Sequence, residues 1–368
     1  MPAIRVLLCW AILSACGFAQ DIPFPFERFS NPPRPDEAAQ AQEDTLKHIV
    51  AVHPESADAW TDFGWRLYKN GHYGECEYAM GEARKVAPAD PYVLWLSGLA
   101  SYAMGHYADA HTYLWQMWKD NRTYPETVDI GMTYDLLGRI ALHDRDLFTA
   151  AYFFSKAAEE QHDNWQVEFL LGITEWYRQQ YGASFDAFER ARALRPKDAL
   201  VLDYYAWARA AADERDYARA QALATALDKP APAGRDFAPT LAAIDAALKA
   251  DPENALTYEL EGRVLQSKGD TDGAIKALRR AVALDPKAAG PPYMLAKTLL
   301  ATGSIDARIE AKELLIRSVA LAPGYWEGDE IAPNGHLLAQ MFADEGSYER
   351  AQDLLDWLDR QQDQEASK

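Results

Sequence analysis

A chain of 368 residues with 49% hydrophobic and 25% charged side chains carries enough apolar surface for two or more ordinary cores, which excludes a disordered chain. Its charges are unequal, 37 Lys and Arg against 56 Asp and Glu, for a formal net charge of -19. That excess repels phosphate backbones and anionic headgroups, so it argues against nucleic acid as a partner and against unaided binding to a membrane surface.

The chain opens with MPAIRVLLCWAILSACGFAQ: one positive charge at Arg5, an apolar run from Val6 to Leu13, then small residues. This is the pattern of an export signal, too short to cross a bilayer as a mature helix. Two processing routes fit it. Gly17 and Ala19 satisfy the small-residue rule for cleavage after Ala19, giving a signal peptide over 1–19. Leu13-Ser14-Ala15-Cys16 resembles the bacterial lipobox, giving a lipoprotein signal over 1–15 with Cys16 lipidated as the mature N-terminus. Both routes predict an exported, periplasmic or envelope-associated protein that touches the membrane only through a lipid anchor, with a secreted form as the alternative. Cys9 and Cys16 belong to this region and Cys76 alone lies in the body, so neither a disulfide framework nor a thiolate metal site can be built.

Residues 20–35 form an extended Pro/Phe-rich segment containing IPFPFERFSNPPRP, whose prolines forbid helix over most of its length. It reads as a tether or a surface-docked arm. A helix is predicted from Asp36 to Val52, before Pro54, as a capping half-repeat over 36–56. From residue 57 the sequence begins to repeat itself. GWRLYKNGHYGECEYAMGEARKVAP from Gly64 and GRVLQSKGDTDGAIKALRRAVALDP from Gly262 place small, bulky and Pro residues at matching positions, within a period of about 34 residues.

These segments resemble the tetratricopeptide-repeat family, in which small residues recur at positions 8 and 20, a bulky one at 24, Ala at 27 and Pro at 32. The first register, from Ala57, has Trp60, Phe63, Gly64, Gly71, Tyr73, Cys76, Met80, Ala83 and Pro88. Further registers start at Pro91, Gly131, Trp165, about Val201 (a looser one), Ala255, Ala289 and about Ala332. The resemblance implies an all-α fold, a right-handed superhelical solenoid of antiparallel helix pairs with about eight repeats. KPAPAGRD at 229–236 breaks the helical pattern. It predicts two sub-arrays: an aromatic-rich one over 57–228 and a second over 237–362 with a polar end cap, joined by the linker 229–236 and followed by a polar tail over 363–368.

Motifs for catalysis are absent: the sequence holds no HExxH, no GxxxxGK[ST], no GxSxG and no paired Cys or His at ligand spacing. His106 and His111 are five apart, off one helix face, and GDTDGA at Gly269 lacks the ligand spacing of a calcium loop and reads as a turn. The expectation is a non-enzymatic protein with no metal and no cofactor.

In the family, positions 2, 5, 9, 12 and 13 of each first helix line a concave groove. Carried onto this chain, they select Trp65, Tyr68, Tyr92, Trp95, Tyr102, Phe169, Trp176, Tyr177 and Tyr205 as groove aromatics. Large aromatics on such a wall suit a peptide or protein segment, with a glycan as the alternative ligand and packing between helices as the bland reading. A basic stripe at position 9, made of Arg139, Arg209, Arg263 and Lys297, suits an acidic ligand. Asp135 and Glu259, each four residues before one of the arginines, equally predict local helix pairs. The family's chaperone-binding clamp uses Lys at position 5 and Asn at position 9; this chain matches neither. The resemblance thus implies a peptide- or protein-binding scaffold.

Overall fold

The structure, a computed structural model, describes residues 37–120, 127–226, 229–230, 234–323, 326–327 and 330–366. The expected export signal, Cys16 and the segment 20–35 lie outside the described residues. The chain divides into two compact units between Leu194 and Arg195.

The described part of the first unit holds α1 (Glu37–Val52), α2 (Ala57–Lys69), α3 (Tyr73–Val86), α4 (Pro91–Ala103), α5 (Tyr107–Asp120), α6 (Ile130–His143), α7 (Leu147–Glu160), α8 (Trp165–Tyr177) and α9 (Tyr181–Leu194). α1 packs on α2; four helix hairpins follow, α2 with α3 through α8 with α9, and α3, α5 and α7 also pack on the next first helix. The second unit holds α10 (Ala199–Ala226), α11 (Ala238–Ala250), α12 (Ala255–Lys268), α13 (Thr271–Leu284), α14 (Gly290–Ala301), α15 (Ile305–Leu321), α16 (Pro333–Asp344) and α17 (Tyr348–Ala366). Between α15 and α16 lies a two-residue antiparallel ladder, β1 (Trp326–Glu327) with β2 (Glu330–Ile331), Trp326 opposite Ile331. The fold is an all-α helical-repeat solenoid.

Side-chain chemistry sets the helix starts. Asp90 accepts from the Tyr92 and Val93 amides ahead of Pro91, and Asn254 accepts from the Leu256 and Thr257 amides, each satisfying donors that the first turn leaves orphaned. Asp129, Asp146, Asn164 and Ser304 cap α6, α7, α8 and α15 in the same way. Hairpin turns need one residue at positive φ, supplied by Gly105 (φ 78) between α4 and α5 and by Gly269 (φ 87) between α12 and α13. Arg145 (φ 62) and Gln179 (φ 60) do the same work in α6–α7 and α8–α9 without a glycine.

Close approach within a hairpin comes from a small residue facing a bulky one sixteen positions later. A Cβ on Gly98 would lie 2.4 Å from Leu114 Cγ, one on Gly172 2.8 Å from the Phe188 ring, and one on Gly262 2.4 Å from Leu278 Cγ. Leu114, Phe154, Phe188 and Leu278 are buried there, so the small residue creates the space that the bulky one fills. Cys76, expected as a small core residue, is fully buried, and burial pushes its thiol up to about 12, which leaves it a protonated, unreactive filler.

Two expectations change. The looser register from Val201 does not fold as a hairpin: residues 199–226 form one continuous helix, α10. The turn position falls in DERDY, which offers neither Gly nor a breaker, so helix propagation continues through it. α10 packs instead on α11, tied by Arg235 donating to the Ala210 carbonyl (2.9 Å) and Thr240 Oγ1 donating to Asp213 Oδ2 (2.6 Å). Thr257 of α12 donates to Asp203 of α10, whose carboxyl is raised by burial. These contacts draw α10 into the second unit, so the division falls at 194/195, upstream of the expected linker 229–236, and α17 runs on to Ala366, into the expected tail.

Candidate functional site

α2 and α4, the first helices of two successive hairpins, pack directly on each other. Each carries two aromatics three residues apart, which a helix places on one face. Their rings meet in a chain. Tyr68 stacks on Trp65 (5.9 Å between centroids, planes at 9°), Trp65 meets Trp95 (5.7 Å, 34°), and Trp95 stacks on Tyr92 (5.7 Å, 26°). The Lys69 ammonium lies 4.7 Å over Trp65, within cation–π range. Four of the nine expected groove aromatics therefore form one surface. Trp65, Tyr68 and Tyr92 are partly exposed on it, whereas Trp95 is 3% exposed behind them.

Trp95 Nε1 is buried with no hydrogen-bond acceptor among the described residues. Such an orphaned donor costs about 1–3 kcal/mol. Burial pushes the Tyr68 hydroxyl up to about 12, with Tyr73 and Cys76 adding to it, and pushes Tyr92 up to about 12, with Asp62 and Cys76 adding. Both phenols are therefore neutral hydrogen-bond donors at any physiological pH. Asp62, beside Tyr92, has its carboxyl raised by burial and by Asp58. Among the described residues Asp58 and Asp62 form no ion pair, so the aromatic surface is bordered by exposed acidic side chains.

The other expected aromatics sit apart. Tyr102 lies against Tyr107 (5.4 Å) and shares its hydroxyl with the buried Arg139 guanidinium. Phe169 is 2% exposed and meets Phe188 edge-on at 5.4 Å, which makes it core. Trp176 is partly exposed and meets Tyr181 at 5.1 Å, next to the partly exposed Tyr177. Tyr205 is buried in α10, within the second unit.

The basic residues are engaged within their own helices. Arg139 donates to Asp135 (2.8 Å), Arg263 to Glu259 (2.8 Å) and Arg209 to Asp213 (3.1 Å), while Lys297 lies 5.7 Å over the Tyr293 ring. Burial works against the charge on Arg139, but Asp135 and Tyr102 outweigh it and raise its pKa. The local pairs account for these cations, and Arg139 falls in one unit while the other three fall in the other.

Two features escaped the sequence reading. A second aromatic cluster lies on the second helices α5 and α7: Trp115 contacts His111 (5.5 Å) and Trp118 (4.9 Å), and Trp118 contacts Phe153 (5.4 Å) beside Tyr152, which is half exposed. The spacing of His111, Trp115 and Trp118 along one helix face was its available signal. A recurrent joint also links neighbouring repeats. Glu43 accepts from Asn70 (2.6 Å) and meets His72 (3.0 Å), and 34 positions on Glu77 accepts from Ser101 (2.9 Å) and meets His106 (3.0 Å). No group of three metal-ligating side chains occurs among the described residues, and no described helix is long and apolar enough to cross a membrane.

The family model described as "Tetratricopeptide repeat" matches residues 265–328. A TPR repeat-containing protein of Pseudomonas aeruginosa is 30% identical over 100 residues, 27% of this chain. The match spans 17% of that relative's length. Among solved structures, YrrB, described as a TPR protein with an unusual peptide-binding site, is 12% identical, with 58% of this chain and 95% of that chain covered at a TM-score of 0.46. The C-terminal part of a TPR repeat-containing protein from Cytophaga hutchinsonii is 13% identical, covering 72% and 95% at 0.49. PilF of Pseudomonas aeruginosa is 14% identical, covering 66% and 97% at 0.44.

Proposed function

We propose that this chain, which is similar to the generally non-catalytic tetratricopeptide-repeat scaffolds that bind proteins or peptides, holds an extended peptide segment against the aromatic face of α2 and α4. The observation that carries this reading is the ring chain Tyr68–Trp65–Trp95–Tyr92, drawn from two successive first helices. Rigid aromatics lose little entropy on binding and offer large contact areas with polar tips. The acidic border at Asp58 and Asp62 favours a segment carrying a Lys or Arg near its apolar side chains. No catalytic step is assigned to this face. On the export pattern of residues 1–19 or 1–15, the scaffold works in the cell envelope, either free or tethered through Cys16.

A glycan on the same rings is the weaker reading. Stacking on a sugar needs a free ring face, and Trp65 is already engaged by Tyr68 and Lys69. The test is selection of random extended peptides on the purified chain, then calorimetry on the selected sequences. Trp65→Ala and Tyr92→Ala each weaken them at least about tenfold, which is about 1.4 kcal/mol. Unchanged affinity in both variants, with helicity intact, rejects the face as the site.

A further inference from the structure

We propose that residues 21–35 of this same chain occupy the aromatic face of α2 and α4, as a built-in competitor for the peptide site. The proposal rests on the reading of that face as a peptide site.

Residues 21–35 precede α1, whose start lies near the aromatic face. α1 runs antiparallel to α2, because Glu43, in its first half, bonds Asn70 and His72 just past the end of α2. Glu37 precedes Glu43 by less than two turns, about 9 Å of helix. The chain therefore enters α1 at the end of α2 that carries Trp65, Tyr68 and Lys69. Reach is not limiting: residues 21–35 in polyproline II geometry span roughly 45 Å at about 3.1 Å per residue. Packed helices lie only about 8–10 Å apart.

The segment and the face are also chemically complementary. The segment DIPFPFERFSNPPRP sets Pro23, Pro25, Pro32, Pro33 and Pro35 among three phenyl rings. A polyproline II chain has no internal hydrogen bonds, so its carbonyls are free acceptors, and it loses little entropy on docking to an aromatic-lined groove. The face holds one buried donor without an acceptor among the described residues, Trp95 Nε1, on an indole that stacks on the partly exposed Tyr92 ring. Arg28 and Arg34 on the segment answer the exposed carboxylates of Asp58 and Asp62, which form no ion pair among the described residues. Tethering adds the rest. A short flexible linker gives an effective concentration of order millimolar, so a segment that binds in trans with a dissociation constant of roughly 0.1 mM is about 90% docked in cis.

The experiment uses the purified full-length chain with Phe26→p-benzoylphenylalanine, irradiated at micromolar concentration and mapped by mass spectrometry. The expected result is crosslinks within one molecule to residues 57–103, reduced at least about fivefold by Trp65→Ala or, should that variant not fold, by Tyr92→Ala. A second measurement adds a synthetic peptide of residues 22–35. It binds a chain carrying Phe24→Ser, Phe26→Ser and Phe29→Ser about tenfold more tightly than the unaltered chain, because the competitor has been removed. Crosslinks that run between copies, that fall in residues 195–366 or that do not form, or equal affinity for the two chains, overturn the proposal. If the selected external peptides still depend on Trp65 and Tyr92 in those circumstances, the peptide-site reading stands and only the self-docking is lost.

Discussion

The two units build their hairpins in the same way and dress them differently. In the first, Gly98 faces Leu114 between α4 and α5; in the second, Gly262 faces Leu278 between α12 and α13, at the same 2.4 Å from a would-be Cβ. The positions expected to line a groove diverge between the first helices of the two units. α2 and α4 carry Trp65, Tyr68, Tyr92 and Trp95, whereas α12 carries Glu259 and Arg263 in a salt bridge, and α14 opens on the buried Pro291, Pro292 and Tyr293. Packing between helices fixes the hairpin, and the face that packing leaves over is free to become a binding surface or a plain one.

The largest effects test the shared part of that comparison. Gly98→Ala and Gly262→Ala should each destabilise their own unit by about 1–3 kcal/mol in urea unfolding, because the overpacking outweighs the roughly 1 kcal/mol gained in helix propensity. Gly64→Ala is the control: its Cβ meets Met80 Cε, the far end of a flexible side chain, and it should cost clearly less. A neutral Gly98→Ala removes the packing account. Next in size is the contrast in function. Tyr92→Ala should weaken selected peptides at least about tenfold, while Tyr258→Ala on α12 leaves them unchanged in calorimetry. Equal losses from the two variants erase the distinction between the units.

Loss of a cap should be the same in both units. Asp90→Ala and Asn254→Ala each remove an acceptor for two amides and should each cost about 1 kcal/mol of local stability, read by hydrogen exchange in α4 and α12. The smallest effect is with pH and belongs to the first unit. The hydrogen bond with Glu77, then its charge, raises His106 above 6.5, so the stabilisation is full below pH 6.5 and is lost as pH rises through the raised value. For Glu77, burial acts upward, but the bonds from His106 and Ser101 leave it below 4.5, so its share is present above 4.5 and fades as pH falls through the lowered value. The joint is tightest between these two limits. His106→Gln should flatten the pH 5 to 8 change in exchange at the α3–α4 joint and leave α12 to α17 untouched.

Much of the fold was legible because its determinants are local or recur at fixed spacing. Gly64, Gly98, Gly138, Gly172 and Gly262 each announce a bulky partner sixteen residues on, and Asp90-Pro91 and Asn254 announce helix starts. α10 matches the repeat register at Ala208, Tyr217 and Ala220 but has no turn residue between them, so helix propagation continues through the expected turn. α10 groups with the second unit through the Asp203–Thr257 and Asp213–Thr240 bonds, which span more than one element and leave no trace in a linear pattern. On the candidate face, helix periodicity alone brought Trp65 with Tyr68 and Tyr92 with Trp95. It did not tell that Phe169 and Tyr205 are buried, since position in a repeat does not report how closely the next helix packs.

The central claim is that ligand binding belongs to the aromatic face of the first unit. Hydrogen exchange on the full-length chain, with and without a saturating selected peptide, tests it most directly. The account requires added protection concentrated in residues 57–103 and none in 255–301. Protection confined to residues 195–366, or unchanged exchange across α2 and α4 at saturation, contradicts it.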